Sequence, residues 1–553
     1  MSNLTSHCKS AFVGLVALLA AALPLRALPG TTDLSSVPLP TYATGSSVDV
    51  KPNILMVLDD SGSMDWDYLP DWANDRPPNY NQLPDRMYRN SSFNGVGYNP
   101  AIVYLPPVTF TSGGAKDTGT YPSMAGTSAA TGANTGSAMP NWKAVKNDGF
   151  GVQFAGTKDL QSTSQVRKRT SSNSGATWTI WADAASCTTS SGGSNWTDCK
   201  TDNGVAWYYL TLPGEYCDSP ELTNCTASAT PTGNYQYPAP LRWCTDTTLT
   251  SCRAVQDGSH TYPRMPGSPV STITFTAASS ANVTGITVGG VQIMSAASGS
   301  TSSNSTLATS VVAQINACTY GLPAGTACGT VGYSAYVTGA STNVVYILAP
   351  GSTSATPSVA KSGTLTSTIT AFANQTVPLT PWLRSGYSAS TSAVPGTTLL
   401  TVIHKDNNSY TYPGSATKAA ARTDCAGTTC TYREELANYA NWYAYYRTRM
   451  QMMKTATSRA FSTLDTDADI TAGTTRYRVG YMSINNNTGT DFANITDFDS
   501  TQKFTWFSKL LAANPNNSTP LRVALSDAGR LYGGKFNGTT FNGVSVVDPL
   551  QYS

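Results

Sequence analysis

The apolar positions predict a core of strands and helices built from two distant parts of the chain. Residues 54–58 form an unbroken apolar run between polar neighbours, which is typical of a strand buried on both faces of a parallel sheet. After residue 431, apolar side chains recur every three or four residues to about Phe461, which predicts one long amphipathic helix. The members of that repeat are Leu436, Tyr439, Tyr443, Tyr446, Met450 and Met453.

The last part of the chain continues this pattern. Residues 477–484 predict a strand, and a helix is predicted over 520–531, where Pro520 occupies a favourable first helical position. Residues 501–512 predict a helix whose inward side chains are Phe504, Phe507, Leu510 and Leu511. We therefore expect an α/β fold with a doubly wound sheet, assembled from 51–64 and 431–553.

A long insertion, which we expect to be β-rich and to carry disulfides, separates these two parts. Residues 65–268 lack helical periodicity and are predicted to be irregular and tied by disulfides, whereas 375–430 is predicted to be an insertion or linker. Residues 269–374 predict a small α+β module, because a structureless loop of this length is unfavourable in a compact protein. Its expected strands lie at 271–275, 285–288, 291–294, 333–337 and 344–348, with a helix over 306–315 and a Gly289-Gly290 hairpin turn.

The N-terminus predicts export. Lys9 precedes an apolar run over 11–23, and small residues then allow cleavage after Ala22 or Ala27. We assign 1–27 as a signal peptide and 28–50 as a leader. The apolar run is too short for a stable membrane anchor, since a spanning helix needs about 20 residues. We expect no transmembrane anchor once the signal is cleaved; the alternative is a buried N-terminal helix.

The cysteines also favour an exported protein. Cys8 leaves with the signal, and the ten others of the eleven cysteines fall in close successive pairs, which indicates disulfides. Sequential pairing is the simplest hypothesis, because short loops cost little entropy to close. A zinc site is disfavoured, since there is no Cys-x-x-Cys spacing and the three histidines are far apart. The candidate pairs are Cys187/Cys199, Cys217/Cys225, Cys244/Cys252, Cys318/Cys328 and Cys425/Cys430.

Charge excludes two classes of partner. The net charge is +2, and only 12% of the residues are charged. Such a chain has no electrostatic footprint for nucleic acid or for an anionic membrane. Its surface is expected to be polar and nearly neutral.

The strongest local motif follows the first predicted strand directly. Asp59, Ser61 and Ser63 form an Asp-x-Ser-x-Ser pattern, and ligands of open α/β sheets bind at the carboxyl ends of strands. One carboxylate and two hydroxyls are hard oxygen donors that suit Mg²⁺ or Ca²⁺, with Mn²⁺ also allowed. A site with few carboxylates leaves the ion electron-poor, so it takes an acidic group from a partner. The motif alone is weak in a Ser-rich chain, where a simple polar turn is the alternative.

The motif and its flanks resemble known families. Asp59, Ser61 and Ser63, with Thr519 at a later loop-to-helix junction, resemble the metal-ion-dependent adhesion site of von Willebrand factor A domains. The resemblance implies that Ser61, Ser63 and Thr519 bind the ion and that Asp59 acts largely through water. The PilC/PilY-like proteins of the type IV pilus tip are resembled by segments 98–100, 104–107, 440–450, 478–481, 519–522 and 528–530, and by the long cysteine-bearing insertion.

This resemblance implies a function and a location. We expect an exported protein at the cell surface or pilus tip, or associated with the outer membrane. Its expected partners are minor pilins and a host or abiotic surface receptor that carries an acidic group. We expect an adhesin and biogenesis factor that is not an enzyme; the alternative is a general surface adhesin of the A-domain type, unconnected with pili. A hydrolase is disfavoured, because no Gly-x-Ser-x-Gly or His-Glu-x-x-His motif is present.

One feature of the A-domain pattern is missing. That pattern has a third acidic ligand at the end of an apolar strand finishing in Thr-Asp-Gly, and no such segment follows Thr519. In the doubly wound order this strand lies beside the first one, so we expect an incomplete A domain with an unpaired strand edge. We accordingly interpret the chain as truncated, with a weakened affinity for the ion.

Two other acidic groups are weaker candidates. Asp465, Asp467 and Asp469 begin like a calcium loop, but Ile470 stands where glycine is required and Arg476 where glutamate is required. A solvated helix end is the favoured interpretation. Asp59 and Asp60 are an unpromising acid/base pair, because adjacent loop residues rarely converge.

Overall fold

The computed structural model describes residues 51–70, 88–117, 119–124, 142–161, 165–172, 175–182, 196–202, 206–322, 325–338, 341–375, 394–485, 491–515, 518–541, 543–547 and 549. The predicted signal peptide and leader, 1–50, lie outside these residues. So does Cys187, and only the backbone is described at Cys199.

The secondary structure is mostly strand in the insertion and mixed elsewhere. The strands are β1 (Asn53–Leu58), β2 (Thr109–Phe110), β3 (Lys116–Asp117), β4 (Val145–Lys146), β5 (Thr157–Lys158), β6 (Gln165–Ser172), β7 (Gly175–Ala182), β8 (Trp196–Asp202), β9 (Ala206–Pro213), β10 (Glu215–Cys217), β11 (Cys225–Ala227), β12 (Tyr237–Pro238), β13 (Arg242–Cys244), β14 (Cys252–Arg253), β15 (Tyr262–Arg264), β16 (Ser268–Val288), β17 (Val291–Gln292), β18 (Ser334–Thr338), β19 (Ser341–Leu348), β20 (Ser358–Ile369), β21 (Ala373–Gln375), β22 (Gly396–Ile403), β23 (Arg478–Ser483), β24 (Phe492–Asp497), β25 (Thr540–Phe541) and β26 (Val544–Ser545). The α-helices are α1 (Asn304–Asn316), α2 (Tyr432–Tyr445), α3 (Arg449–Phe461), α4 (Asp467–Thr471), α5 (Ser500–Ala512) and α6 (Leu521–Tyr532).

The sheet that carries the motif joins the two ends of the described chain. β1 runs parallel to β23, with Leu58 opposite Ser483, and β24 pairs antiparallel on the far side of β23. Tyr481 faces Trp506 of α5, with ring centroids 6.5 Å apart, whereas Met482 shares a buried cluster with Ala524 of α6. Because successive strand residues point to opposite faces, helices cover this sheet on both sides.

The first part of the insertion belongs to the same core as the helices. The Tyr98 hydroxyl donates to a Glu435 carboxylate oxygen at 2.8 Å, and the Tyr104 N–H donates to Asn438 Oδ1 at 2.7 Å. Trp142 is fully buried in the cluster that also holds Leu436. The described residues between 88 and 160 therefore pack on α2 rather than forming a separate layer.

A two-stranded ribbon leads into the rest of the insertion. β9 and β22 pair antiparallel over their whole length, from Ala206 opposite Ile403 to Pro213 opposite Gly396. Beyond this ribbon, β16 to β21 build one sheet, in which β16 pairs with β17, β19, β20 and β21. Gly289 and Gly290, both with positive φ, turn the chain from β16 into β17, as the sequence predicts.

Two helix predictions were wrong in detail. The predicted long helix is two helices, α2 and α3, because Thr448 and Gln451 form a capping box that starts a new helix. Met453 is 38% exposed. In α5 the predicted inward Phe504 is 40% exposed, while Trp506 is buried and donates from Nε1 to the Gly480 carbonyl at 3.0 Å.

Within the part of the chain that the structure describes, no helix combines the length and the apolar character needed to cross a bilayer.

Candidate metal site

The predicted motif lies at the carboxyl end of β1. Asp59 follows the last strand residue, and its Oδ1 accepts the Ser61 N–H at 2.9 Å, which closes a tight turn. Ser61 is in extended conformation and begins the short 3-10 turn Gly62–Asp65. The turn places Ser61 and Ser63 on one side of the loop, at the edge where an open α/β sheet binds ligands.

The two serine hydroxyls converge. Ser61 Oγ and Ser63 Oγ are 3.1 Å apart, and the Ser61 residue is only 1% exposed. Adjacent oxygens around an octahedral Mg²⁺ stand about 3.0 Å apart, since metal–oxygen distances are about 2.1 Å. The spacing and the hard-donor chemistry of this pair therefore fit a small divalent cation.

Asn485 ties this loop to the one that carries Thr519. Its side-chain Nδ2 donates to Asp60 Oδ1 at 2.6 Å and to the Ser518 carbonyl at 2.9 Å. The Ser518 hydroxyl returns a hydrogen bond to Asn485 Oδ1 at 3.3 Å. One amide thus holds together two loops that are far apart in sequence.

Thr519 itself lies at the start of α6. Its carbonyl accepts the Leu521 N–H at 3.0 Å, and its side chain is exposed. The structure brings Asp59, Ser61 and Ser63 together in one turn and places Thr519 next to the residue that Asn485 binds. Ion binding by these four side chains remains a prediction.

Asp59 and Asp60 serve different partners. Asp59 bonds within the turn, whereas Asp60, only 4% exposed, accepts both the Asn485 side chain and its backbone N–H. The two carboxylates therefore hold the loop rather than acting together on a substrate. Sequence reasoning missed Asn485; its only signal was its place directly after the predicted strand 477–484.

The segment after the motif is clamped by the start of α3. Arg449 donates from Nε to the Tyr68 carbonyl at 2.7 Å, and its backbone N–H donates to the Trp66 carbonyl at 3.0 Å. Its guanidinium carbon lies 4.9 Å from the centre of the Trp66 ring. The Asp65 carboxylate accepts the Gln153 amide. These contacts fix the direction in which the chain leaves the motif.

The second edge of β1 carries side-chain and turn contacts. Asn53 Nδ2 donates to the Pro549 carbonyl at 3.0 Å, and the Tyr532 hydroxyl donates to the Asn53 carbonyl at 3.1 Å. Among the described residues no strand pairs with this edge. Those residues also contain no cluster of three or more His, Cys, Asp or Glu side chains placed to hold a metal.

The calcium-loop candidate has structural partners instead. The Asp465 carboxylate accepts the backbone N–H groups of Arg476 and Tyr477 at 2.7 and 3.1 Å. The Asp469 carboxylate accepts from Thr466 in a capping box and pairs with Arg476. The hydrogen bond from the Thr466 side chain is the main reason that the pKa of Asp469 is lowered. These acids therefore organise the ends of α4.

Four of the predicted pairs of successive cysteines are disulfides in the structure. They are Cys217–Cys225, Cys244–Cys252, Cys318–Cys328 and Cys425–Cys430. Cysteines in disulfides do not supply the thiolates that zinc requires. The pairing of Cys187 with Cys199 lies outside the described residues.

The sequence analysis also missed a buried network of an ion pair and a hydrogen bond beside α2. Arg422 and Glu435 form an ion pair at 2.6 Å between side chains that are each 2% exposed, and Tyr98 donates to the same carboxylate. Burial raises the pKa of Glu435, and the Arg422 charge opposes that rise. No local pattern indicates this network, because its members come from three separate segments.

The sheet and its motif define the class as an α/β protein with an oxygen-donor loop at a strand end. The comparisons with known proteins match only about a quarter of this chain. The chain is 31% identical over 129 residues to the type IV pilus biogenesis factor PilY1 of Pseudomonas aeruginosa strain PAO1, which is 23% of this chain and 11% of that protein. It is 31% identical over 151 residues to PilY1 of strain UCBPP-PA14, covering 26% of this chain and 12% of that protein.

These matches therefore span about a ninth of the length of the curated relatives. No family model matches the chain, and no solved structure matches it. The similarity connects this chain to a type IV pilus biogenesis factor over a limited segment.

Proposed function

We propose that this chain is an exported adhesin that takes part in type IV pilus biogenesis and binds its partners through a divalent cation. In this proposal the sheet around β1 is an A-type domain of the von Willebrand factor kind. Its site holds Mg²⁺ or Ca²⁺ through Ser61, Ser63 and Thr519, with Asp59 acting on the ion largely through water. The chain acts at the cell surface by binding, without catalysing a reaction.

The carrying observation is the pair of hydroxyls 3.1 Å apart at the end of β1, in a loop tied to residue 518. Hydroxyl ligands leave most of the cation's charge uncompensated, so a carboxylate from a partner is the favoured additional ligand. The parallel β1–β23 pair, the helices on both faces and the similarity to PilY1 support this proposal.

Cation titration of the full chain tests the site. Calorimetry with Mg²⁺, Mn²⁺ and Ca²⁺ is run on the wild type, on a Ser61→Ala, Thr519→Ala double variant, and on a matched Ser415→Ala control at an exposed loop position. We expect uptake by the wild type and the control, and a loss of about tenfold or more in the double variant, because two of few ligands disappear. Equal uptake by the double variant, or none by the wild type, contradicts the proposal.

Capture of purified minor pilins tests the connection to pili. We expect capture that requires the cation and fails for the double variant. If instead deletion of the protein abolishes surface adhesion and leaves piliation intact, the chain is a general A-domain adhesin. The short match to the relatives, 23% of this chain, is the reason to keep this second candidate.

A further inference from the structure

The sheet built by β16 to β21 has one face covered by a helix and a second face that is open over part of its area. Helix α1 packs Leu307, Val311 and Ile315 against Ile273 and Phe275 of β16, and all five side chains are fully buried. The alternate residues of β16 point the other way. Val270 and Leu348 lie on this second face but are buried, with Tyr336 and Tyr346 packed against them. The open face is therefore defined here by the outward side chains of 272–276 in β16 and by their neighbours in β18, β19 and β20.

Threonines form two adjacent columns on the open face. Thr274 lies opposite Thr368, and Thr276 lies opposite Thr366. Two residues before Thr274 along β16, Thr272 Oγ1 is 3.1 Å from Thr370 Oγ1. The two side chains of such a cross-strand pair are about 5 Å apart. Side chains on the same face of one strand are about 6.7 Å apart, because they are two residues apart. The result is a regular, outward grid of hydroxyls, which ends at the bulge after Thr276.

An aromatic column borders this grid. Tyr346 lies opposite Thr272 on one side and opposite Tyr336 on the other, so all three share the open face. The two tyrosine rings are stacked, with centroids 4.9 Å apart and planes 13° from parallel. Val344 continues the column beside Thr274. Rings and hydroxyls thus stand side by side on one surface.

The whole module is almost without charge. Lys361 is the only charged residue in the sequence between 268 and 375, and its ammonium donates to the Leu365 carbonyl. On the grid, Thr276, Thr366, Thr368 and Thr370 are exposed. A surface of this kind offers no Coulomb attraction to nucleic acid, to acidic peptides or to anionic lipid. It matches a partner that is itself neutral and rich in hydroxyl groups.

We propose that the open face binds an uncharged polysaccharide. Each threonine hydroxyl both donates and accepts, which matches sugar hydroxyls of either polarity. The tyrosines present apolar rings with a polar tip, which suits a sugar ring that has an apolar face and a hydroxylated rim. Rows of repeating side chains match a polymer of repeating rings. This activity is independent of the cation site at β1.

Depletion from solution by insoluble polysaccharide tests the proposal. The full chain is mixed with microcrystalline cellulose or with chitin, at low salt and in 1 M NaCl, and the unbound fraction is measured. We expect depletion by at least one of them and no weakening by salt, since no ion pair contributes. Absence of depletion by both, or its loss in high salt, overturns the proposal.

Three variants localise the binding. Thr368→Arg places a charge in the middle of the grid, and we expect the partition constant to fall about tenfold or more. Thr368→Val keeps the shape and removes one hydroxyl, so we expect a loss of about threefold to tenfold. Thr309→Arg adds the same charge at an exposed position on α1, on the other side of the module, and should bind as the wild type does. Equal binding by the wild type and Thr368→Arg refutes the open face as the site.

Discussion

The buried Lys454 predicts how stability depends on pH. Its side chain lies in α3 at 2% exposure, and its Nζ donates to the Leu511 carbonyl at 2.9 Å. Nζ also lies 4.9 Å from the centre of the Phe150 ring. Burial lowers the pKa of Lys454 from 10.5 to about 8, against the opposing pull of Asp148.

The sign follows from the two protonation states. Between pH 8 and 10.5 the unfolded chain binds the lysine proton and the folded chain releases it, so the free energy of unfolding rises with pH. The lowered pKa corresponds to about 3 kcal/mol of destabilisation at neutral pH, at about 1.4 kcal/mol for each pH unit. About 2 kcal/mol of this is recovered between pH 7 and 9.5.

Replacing the lysine by methionine isolates this contribution. Urea unfolding of wild type and Lys454→Met is followed at several pH values from 7 to 9.5, and the difference in unfolding free energy is plotted. We expect the wild type to gain about 2 kcal/mol relative to the variant over this range, because other titrating groups cancel in the difference. Lys405→Met, at a side chain that is 77% exposed, is the control for removing a lysine at the surface. A flat line for Lys454→Met refutes the reasoning.

Two further predictions concern the site and the packing behind it. Asn485→Leu removes the amide that bonds Asp60 and residue 518. We therefore expect the free energy of urea unfolding to fall by about 1–3 kcal/mol and cation uptake measured by calorimetry to weaken. If both quantities are unchanged, Asn485 does not bridge the two loops. In Gly149→Ala the new Cβ would lie 2.1 Å from a carbon of the Tyr445 ring, so we expect a loss of about 1–3 kcal/mol in thermal unfolding. Gly258→Ala meets no atom within 4 Å and should unfold as the wild type does.

The sequence predicted elements with strong local patterns and failed where a boundary depended on a competing signal. The apolar repeat from Leu436 to Met453 continues across the break between α2 and α3, so periodicity alone could not reveal it. The capping box of Thr448 and Gln451 was visible in the sequence and should have divided the helix. The face of α5 was misjudged because Trp506 finds a hydrogen-bond partner in β23 that no local pattern shows.

The site shows the same limit. The turn of Asp59, Ser61 and Ser63 is local, and its Asp-x-Ser-x-Ser pattern was sufficient to find it. The contact between Asp60 and Asn485 joins residues 425 positions apart, and it exists only because β1 and β23 lie side by side. The β9–β22 ribbon was missed for a related reason, since its strands are separated by the whole inserted module.

That ribbon has an architectural consequence. Because Pro213 and Gly396 are paired neighbours, the inserted chain leaves the ribbon and returns to it at the same end. Because the two ends of this inserted segment meet, its length and sequence can change during evolution without moving any residue of the β1 sheet. The inserted sheet can therefore diverge in sequence while the loop of Asp59, Ser61 and Ser63 keeps its geometry.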